Sequence, residues 1–237
     1  MKPAHIDAVL FDLGNTLVSY YKAAEFHPVL ERSVSAVTAF LESEGHAVIT
    51  EHAFERAKSL NRERPDLRVW LLRERLVEIF GGTREPLPDD LLDIMSQRFL
   101  EPIFATGAAN PDAIPVLRDI KAMGLKCAIV SNTPWGSPAA AWREELRRWG
   151  LLELVDEAVF CVEVGWRKPA PQIFEHALKR LGVAANRTVF VGDDLQWDVE
   201  GARSVGITPV LLSDVPSSAD GCRVIQRLTD LIPALQS

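Results

Sequence analysis

The chain has 237 residues, is 47% hydrophobic and 25% charged, and carries a formal net charge of −7. That apolar content can bury the core of one large domain, or of a domain with a sizeable insertion. The acidic balance argues against a nucleic-acid or anionic-membrane binder, yet is compatible with a small anionic ligand, because one lysine or a metal ion overrides the global sign locally.

Cys127, Cys161 and Cys222 are far apart, odd in number and lack C-x-x-C spacing, which argues against a disulfide framework or a zinc site. Cys127 and Cys161 lie in apolar runs and read as small core residues. No apolar run has the length of a membrane span, and the first strand follows Met1-Lys2-Pro3-Ala4-His5 at once, so no signal peptide is expected and the expected location is cytoplasmic.

Ala8-Val9-Leu10-Phe11 is an apolar run that ends on Asp12 and then breaks at Gly14-Asn15, the pattern of a buried parallel strand followed by a turn. Four amphipathic helices are expected next, over Pro28–Glu44, Thr50–Arg64 with Thr50 as N-cap, Leu67–Phe80 stopped by Gly81-Gly82, and Pro88–Phe99. Charges in the third, Arg73, Glu74 and Arg75, read as a solvated face. From Asn110 on, helices and strands alternate. Helices are expected from Pro111 to Met123, Ala139–Trp149, Pro171–Leu181, Leu195–Val205 and Thr229–Leu235; strands over Lys126–Ser131, Ala158–Cys161, Thr188–Gly192 and Ile207–Leu212, with a short edge strand near 222–225. Ser213–Asp220, with Pro216, reads as a surface loop.

This alternation means parallel βαβ units with right-handed crossovers. The expected fold is α/β: a doubly wound, Rossmann-like core from residues 1–18 and 106–237, with an inserted all-helical, four-helix cap over residues 19–105.

Each main strand ends on polar chemistry: Asp12; Ser131-Asn132-Thr133; Arg167-Lys168 shortly after the third; and Gly192-Asp193-Asp194, with Asp198 a few residues on. Parallel strands point these ends into one cleft. Asp12 alone would read as a turn residue bonding its own backbone; its partners make it a candidate nucleophile. The set suits a phosphate ester. A carboxylate attacks phosphorus, a divalent ion on oxygen ligands offsets the repulsion, Lys168 meets developing charge, and the Ser131 hydroxyl and Asn132 amide hold substrate. Asp194 reads as the cap of the next helix.

Phe-Asp-Leu-Gly-Asn-Thr-Leu, Val-Ser-Asn, Arg-Lys-Pro-Ala-Pro-Gln-Ile-Phe and Val-Gly-Asp-Asp with Asp198 and Gly201-Ala202 resemble, in order, the four motifs of the haloacid dehalogenase-like hydrolase superfamily, over the whole chain. The helical insertion resembles that superfamily's cap. The resemblance implies that Asp12 is the nucleophile, that Asp12, the Gly14 carbonyl and Asp193 hold Mg²⁺, that Ser131 and Lys168 bind the phosphoryl group, and that Asp198 supports the metal shell. The implied activity is a Mg²⁺-dependent phosphatase of a small phosphorylated metabolite acting through an aspartyl-phosphate. Gly14 departs from the pattern: phosphatases of the family usually carry there a second Asp that protonates the leaving group.

Three other readings stay open: a metal-free 2-haloacid dehalogenase, which the acidic fourth motif disfavours; a phosphonate hydrolase using a cap lysine such as Lys22; and a catalytically weak phosphate-binding homologue that lost its acid. Trp135, Trp166 and Trp197 each lie near a motif and are either packing residues or walls of the cleft mouth. Tyr20, Tyr21 and Lys22 emerge beside the site as candidate substrate contacts. The five histidines are not at metal-ligand spacing. The oligomeric state, monomer or homodimer, is not set.

Overall fold

The structure, a computed structural model, describes residues 6–46, 50–81, 86–214 and 221–236. Gly82, residues 215–220 of the expected surface loop and the first five residues lie outside the described residues.

In chain order, β1 (Ala8–Phe11) and β2 (Val18–Ser19) lead into α1 (Phe26–Ser43), α2 (Ala53–Ser59), α3 (Leu72–Phe80) and α4 (Asp89–Phe104). Then follow β3 (Ala108–Ala109), α5 (Ala113–Ala122), β4 (Lys126–Ser131), α6 (Ala139–Arg148), β5 (Glu157–Phe160), α7 (Cys161–Val164) and α8 (Pro171–Leu181). The chain closes through β6 (Thr188–Gly192), α9 (Gly201–Ser204), β7 (Thr208–Leu212), β8 (Arg223–Ile225) and α10 (Leu231–Gln236).

Six strands form one parallel sheet in the order β5-β4-β1-β6-β7-β8. β1 is buried along its whole length, as its unbroken apolar run requires of a central strand covered on both faces. Val9 and Phe11 face a layer containing Val116, Leu117 and Leu146, and this apolar cluster continues into the four inserted helices. Ala8 and Leu10 face the opposite layer, with Phe174, Ala177 and Ala202 of α8 and α9. Burying each Leu or Phe side chain contributes about 1.5–3 kcal/mol. The chain passes from β1 to one side of the sheet, through β4 and β5, and then to the other, through β6. The strand order thus reverses beside β1, the place where ligand crevices open in such sheets.

The inserted helices differ from expectation in length. α2 begins at Ala53 rather than at Thr50, with His52 in a left-handed conformation before it, and α3 begins five residues after Leu67. Residues 60–71 are not helical. Pro65 disfavours a helix, Leu67 is left-handed, and an isolated bridge joins Arg68 to Trp166. α4 runs five residues beyond Phe99 despite Pro102, because Phe99, Leu100 and Ile103 bury against the same core. No strand is expected at Val18–Ser19 or Ala108–Ala109, yet Val18 and Ser19 pair antiparallel with Ala109 and Ala108. The expected boundaries at 18/19 and 105/106 fall on or beside this two-stranded ribbon.

Candidate active site

Asp12 leaves the sheet directly after β1, with its N–H still donating to the Val191 carbonyl at 2.9 Å. Its carboxylate is therefore fixed by a strand that cannot shift without breaking both neighbouring ladders. Phe11 is in register with Ile129, so Asp12 emerges at the level of Val130, and Ser131 stands one residue further out. Ser131 is buried, and its Oγ donates to the Asn132 carbonyl at 3.3 Å.

Lys168 comes from the loop between α7 and α8. Its side chain is 2% exposed, and Nζ lies 2.6 Å from Asp12 Oδ1 and 2.6 Å from Asp198 Oδ1. Burial alone would pull an ammonium down; the two carboxylates outweigh it and hold Lys168 above the usual lysine range. Its main chain is held by Asn132. The Lys168 N–H donates to Asn132 Oδ1 at 2.8 Å, and Asn132 Nδ2 donates to the Lys168 carbonyl at 3.2 Å. The sequence reading places Asn132 among the substrate-binding groups; in the structure both ends of its amide meet the lysine backbone.

Asp198 reaches the site through a wide turn. Over Leu195–Glu200 the chain forms a π-helical turn in which the N–H groups of Asp198 and Val199 both donate to the Asp194 carbonyl, at 3.1 and 3.2 Å. Such turns often re-aim side chains at functional sites. A Cβ on Gly192 would overlap the Asp198 carboxylate, so only glycine at the end of β6 leaves room for it. Asp198 Oδ2 accepts from the Asp194 N–H at 3.1 Å. Asp194 is the N-cap: its Oδ1 accepts from Gln196 and Trp197 N–H at 2.8 and 2.7 Å.

Asp12, Asp193 and Asp198 each present an oxygen within 4.8 Å of the others. Asp193 is open to the cleft, yet desolvation by its surroundings, and then the charges of Asp12 and Asp198, push its carboxyl up to about 7. Burial also pushes Asp198 up, against the pull of Lys168. Fully ionised, the three carboxylates against one ammonium would leave a surplus of two negative charges, the charge of one divalent cation. An all-oxygen donor set suits a hard ion such as Mg²⁺. The carboxylates therefore fit the ion, with Asp193 open to the cleft and the buried Asp12 and Asp198 both paired with Lys168. At Gly14 a Cβ would meet nothing within 4 Å, so the place of the missing acid is open space.

A cavity of about 680 Å³ opens beside Asp193, lined also by Asn15, Tyr21, Lys22 and Asn110. Tyr20 borders it, but its ring packs edge-on to Trp142 at 5.5 Å, and burial pushes its hydroxyl well above the usual range. A groove of about 400 Å³ between α1 and α2 contains none of the clustered carboxylates.

The three tryptophans separate. Trp135, left-handed and buried, donates Nε1 to Asn61 Oδ1 at 3.2 Å, and Trp166 stacks under Arg68 at 4.5 Å. Both meet the inserted block through residues 60–71. Trp197 is exposed, with Arg167 at 5.8 Å from its ring. Arg75 corrects the expectation of a solvated face. It is fully buried, 4.7 Å from the Trp70 ring and 5.0 Å from the Trp135 ring. Arg75 stands at three- and four-residue spacing from Leu72 and Ile79 on the apolar stripe of α3, which was the available signal.

The model of the haloacid dehalogenase-like hydrolase family matches residues 6–206. The chain is 32% identical over 210 residues to a glyceraldehyde 3-phosphate phosphatase of Methanopyrus kandleri, covering 86% of this chain and 83% of that one. It is also 32% identical over 229 residues to a ribulose-1,5-bisphosphate 5-phosphatase of Halopiger xanaduensis, covering 90% and 89%. Among solved structures, an HAD phosphatase of Thermococcus onnurineus superposes with a TM-score of 0.66 at 25% identity, over 97% of this chain and 98% of that one. With the motif residues gathered at the switch point of the sheet, the chain belongs to the haloacid dehalogenase-like hydrolases.

Proposed function

We propose that the chain is a Mg²⁺-dependent phosphatase of a small phosphorylated metabolite. The carrying observation is Lys168 Nζ held at 2.6 Å from both Asp12 and Asp198, beside the open carboxylate of Asp193. The sugar- and triose-phosphate phosphatases among the relatives support a short, hydroxylated substrate. Residues 19–105 act as the cap over a core of residues 1–18 and 106–237. The acidic cluster disfavours a metal-free dehalogenase, whose reaction has no use for a surplus of negative charge.

Asp12 attacks phosphorus, the ester P–O bond breaks, and water then cleaves the aspartyl-phosphate to regenerate the carboxylate. Lys168 and Ser131 hold the phosphoryl oxygens, and Lys168 meets the charge that grows on them. Asp12, the Gly14 carbonyl and Asp193 would hold Mg²⁺, which supplies charge neutralisation between carboxylate and phosphate. No acid stands at Gly14, so water or a substrate hydroxyl gives the leaving oxygen its proton. Tyr21 and Lys22 border the cavity where the rest of the substrate lies.

The test is a panel of phosphate esters, sugar and triose phosphates included, with and without Mg²⁺, on the wild type and Asp12→Asn. Metal-dependent phosphate release that disappears in the variant is expected. Phosphate binding without turnover would favour the weak homologue, and halide release from 2-haloacids without metal would replace the proposal by a dehalogenase.

A further inference from the structure

Residues 60–71 leave the inserted helices and lie on the core at two strand ends. The Val69 N–H donates to the Gly165 carbonyl at 3.0 Å, and the Arg167 N–H donates to the Leu67 carbonyl at 3.0 Å. The Trp70 carbonyl occupies the space that a Cβ on Gly136 would fill, at a left-handed turn that glycine accommodates. The stretch is anchored from within its own block by Arg75, whose guanidinium donates to the carbonyls of Leu60 and Arg62 at 2.7 and 3.1 Å.

Glu63 stands between the two bodies. Its Oε2 accepts from Arg75 Nη2 at 3.1 Å, and its Oε1 lies 3.1 Å from Arg167 Nη1. Arg167 is 6% exposed and immediately precedes Lys168. The dipeptide Arg167-Lys168 is thus held from opposite sides. The core holds Lys168 through Asn132, and the insertion holds Arg167 through the Leu67 carbonyl and the Glu63 carboxylate.

We propose that Glu63 is a positioning residue: by pairing its charge with Arg167, an ion pair without hydrogen-bond geometry, it lets the docked cap seat Lys168 between Asp12 and Asp198. The inference rests on the reading of Lys168 as the active-site lysine. A charge pair placed here couples docking to chemistry, since a reacting group displaced by about 1 Å loses up to about 10²-fold in rate. Glu63 then needs no contact with substrate.

Two measurements test it, on Glu63→Gln, Arg167→Gln and the double variant. Arg167→Gln leaves the Arg75–Glu63 pair intact, so it separates the coupling from any loss of cap stability. In metal-free protein, amide exchange of residues 166–168 should quicken roughly tenfold or more in each variant, with β1 and β6 unchanged. With Mg²⁺ and p-nitrophenyl phosphate, kcat should fall roughly tenfold while KM stays within about twofold. The double variant should be no slower than the slower single one, as residues acting through one contact require. Unchanged exchange at 166–168, a rise in KM with kcat intact, or multiplying effects in the double variant would each overturn the proposal. If the wild type releases no phosphate, the proposed function fails while the exchange result still decides the role of Glu63.

Discussion

Asp198 and Gly192 share one space: the carboxylate of Asp198 stands where a side chain on Gly192 would begin. Gly192→Ala should therefore push Asp198 off Lys168. The expected cost is about 1–3 kcal/mol in urea unfolding, the range for overpacking a filled site. The expected fall in kcat is at least about tenfold. An alanine variant with wild-type kcat would show that Asp198 is not needed where the structure puts it.

Lys168→Met leaves the buried carboxylates of Asp12 and Asp198 facing each other without a cation. Removing one partner of a buried ion pair costs about 3–5 kcal/mol. Protonation of Asp198 relieves that cost, so the destabilisation measured at pH 5 should be smaller than at pH 8. Equal losses at both pH values would contradict the arrangement.

Asp193 sets a pH dependence for the metal-free protein. Its carboxyl is raised from 3.8 to about 7 in the folded chain. Between these values the folded state binds the proton and the unfolded state does not, so this group's contribution to stability falls as pH rises through the window. The melting temperature of the wild type relative to Asp193→Asn should decline from about pH 4 to pH 7. Exposure of Asp193 to the cleft keeps the change small. Added Mg²⁺ should raise the melting temperature more at pH 8 than at pH 5, because the ion and the proton compete for the carboxylate. A flat difference curve would remove Asp193 from the charge cluster.

Gly14→Asp restores the missing acid in space that is already open and on backbone that needs no left-handed conformation. General acid help is typically worth about 10²–10⁴-fold, so kcat with a poor leaving group such as a sugar phosphate should rise at least about tenfold. With p-nitrophenyl phosphate, whose leaving group needs little protonation, the gain should be smaller. A fall in kcat on both substrates would mean that the open space serves the substrate itself.

The parallel strands and the residues at their ends were legible because buried strands are unbroken apolar runs and each run stops at its chemistry. Lys126–Ser131, Pro171–Leu181 and Thr188–Gly192 fall on their expected bounds. What the sequence concealed depends on contacts between distant segments. Asn132 looks like a ligand group by residue type, and only the fold shows that its amide serves Lys168. Residues 60–64 and 67–71 are expected in helices, and Pro65 together with the docking against Gly136 and Gly165 overrides that expectation. Glu63 and Arg167 are 104 positions apart, and neither lies in a pattern that pairs it with the other. Val18–Ser19 and Ala108–Ala109 are too short and too small to signal strands.

That ribbon constrains how the helical block can travel. Both connections pass through it side by side, bonded to each other, so neither can swivel alone. Bending two paired backbones together leaves essentially one axis of rotation, as in a door leaf on a strip hinge, where two loose tethers would allow tumbling and sliding. A block that swings on one axis returns along the path by which it left. Any swing of the block about that axis would bring Glu63 back to Arg167 and Asn61 back to Trp135 without a search among alternative seatings.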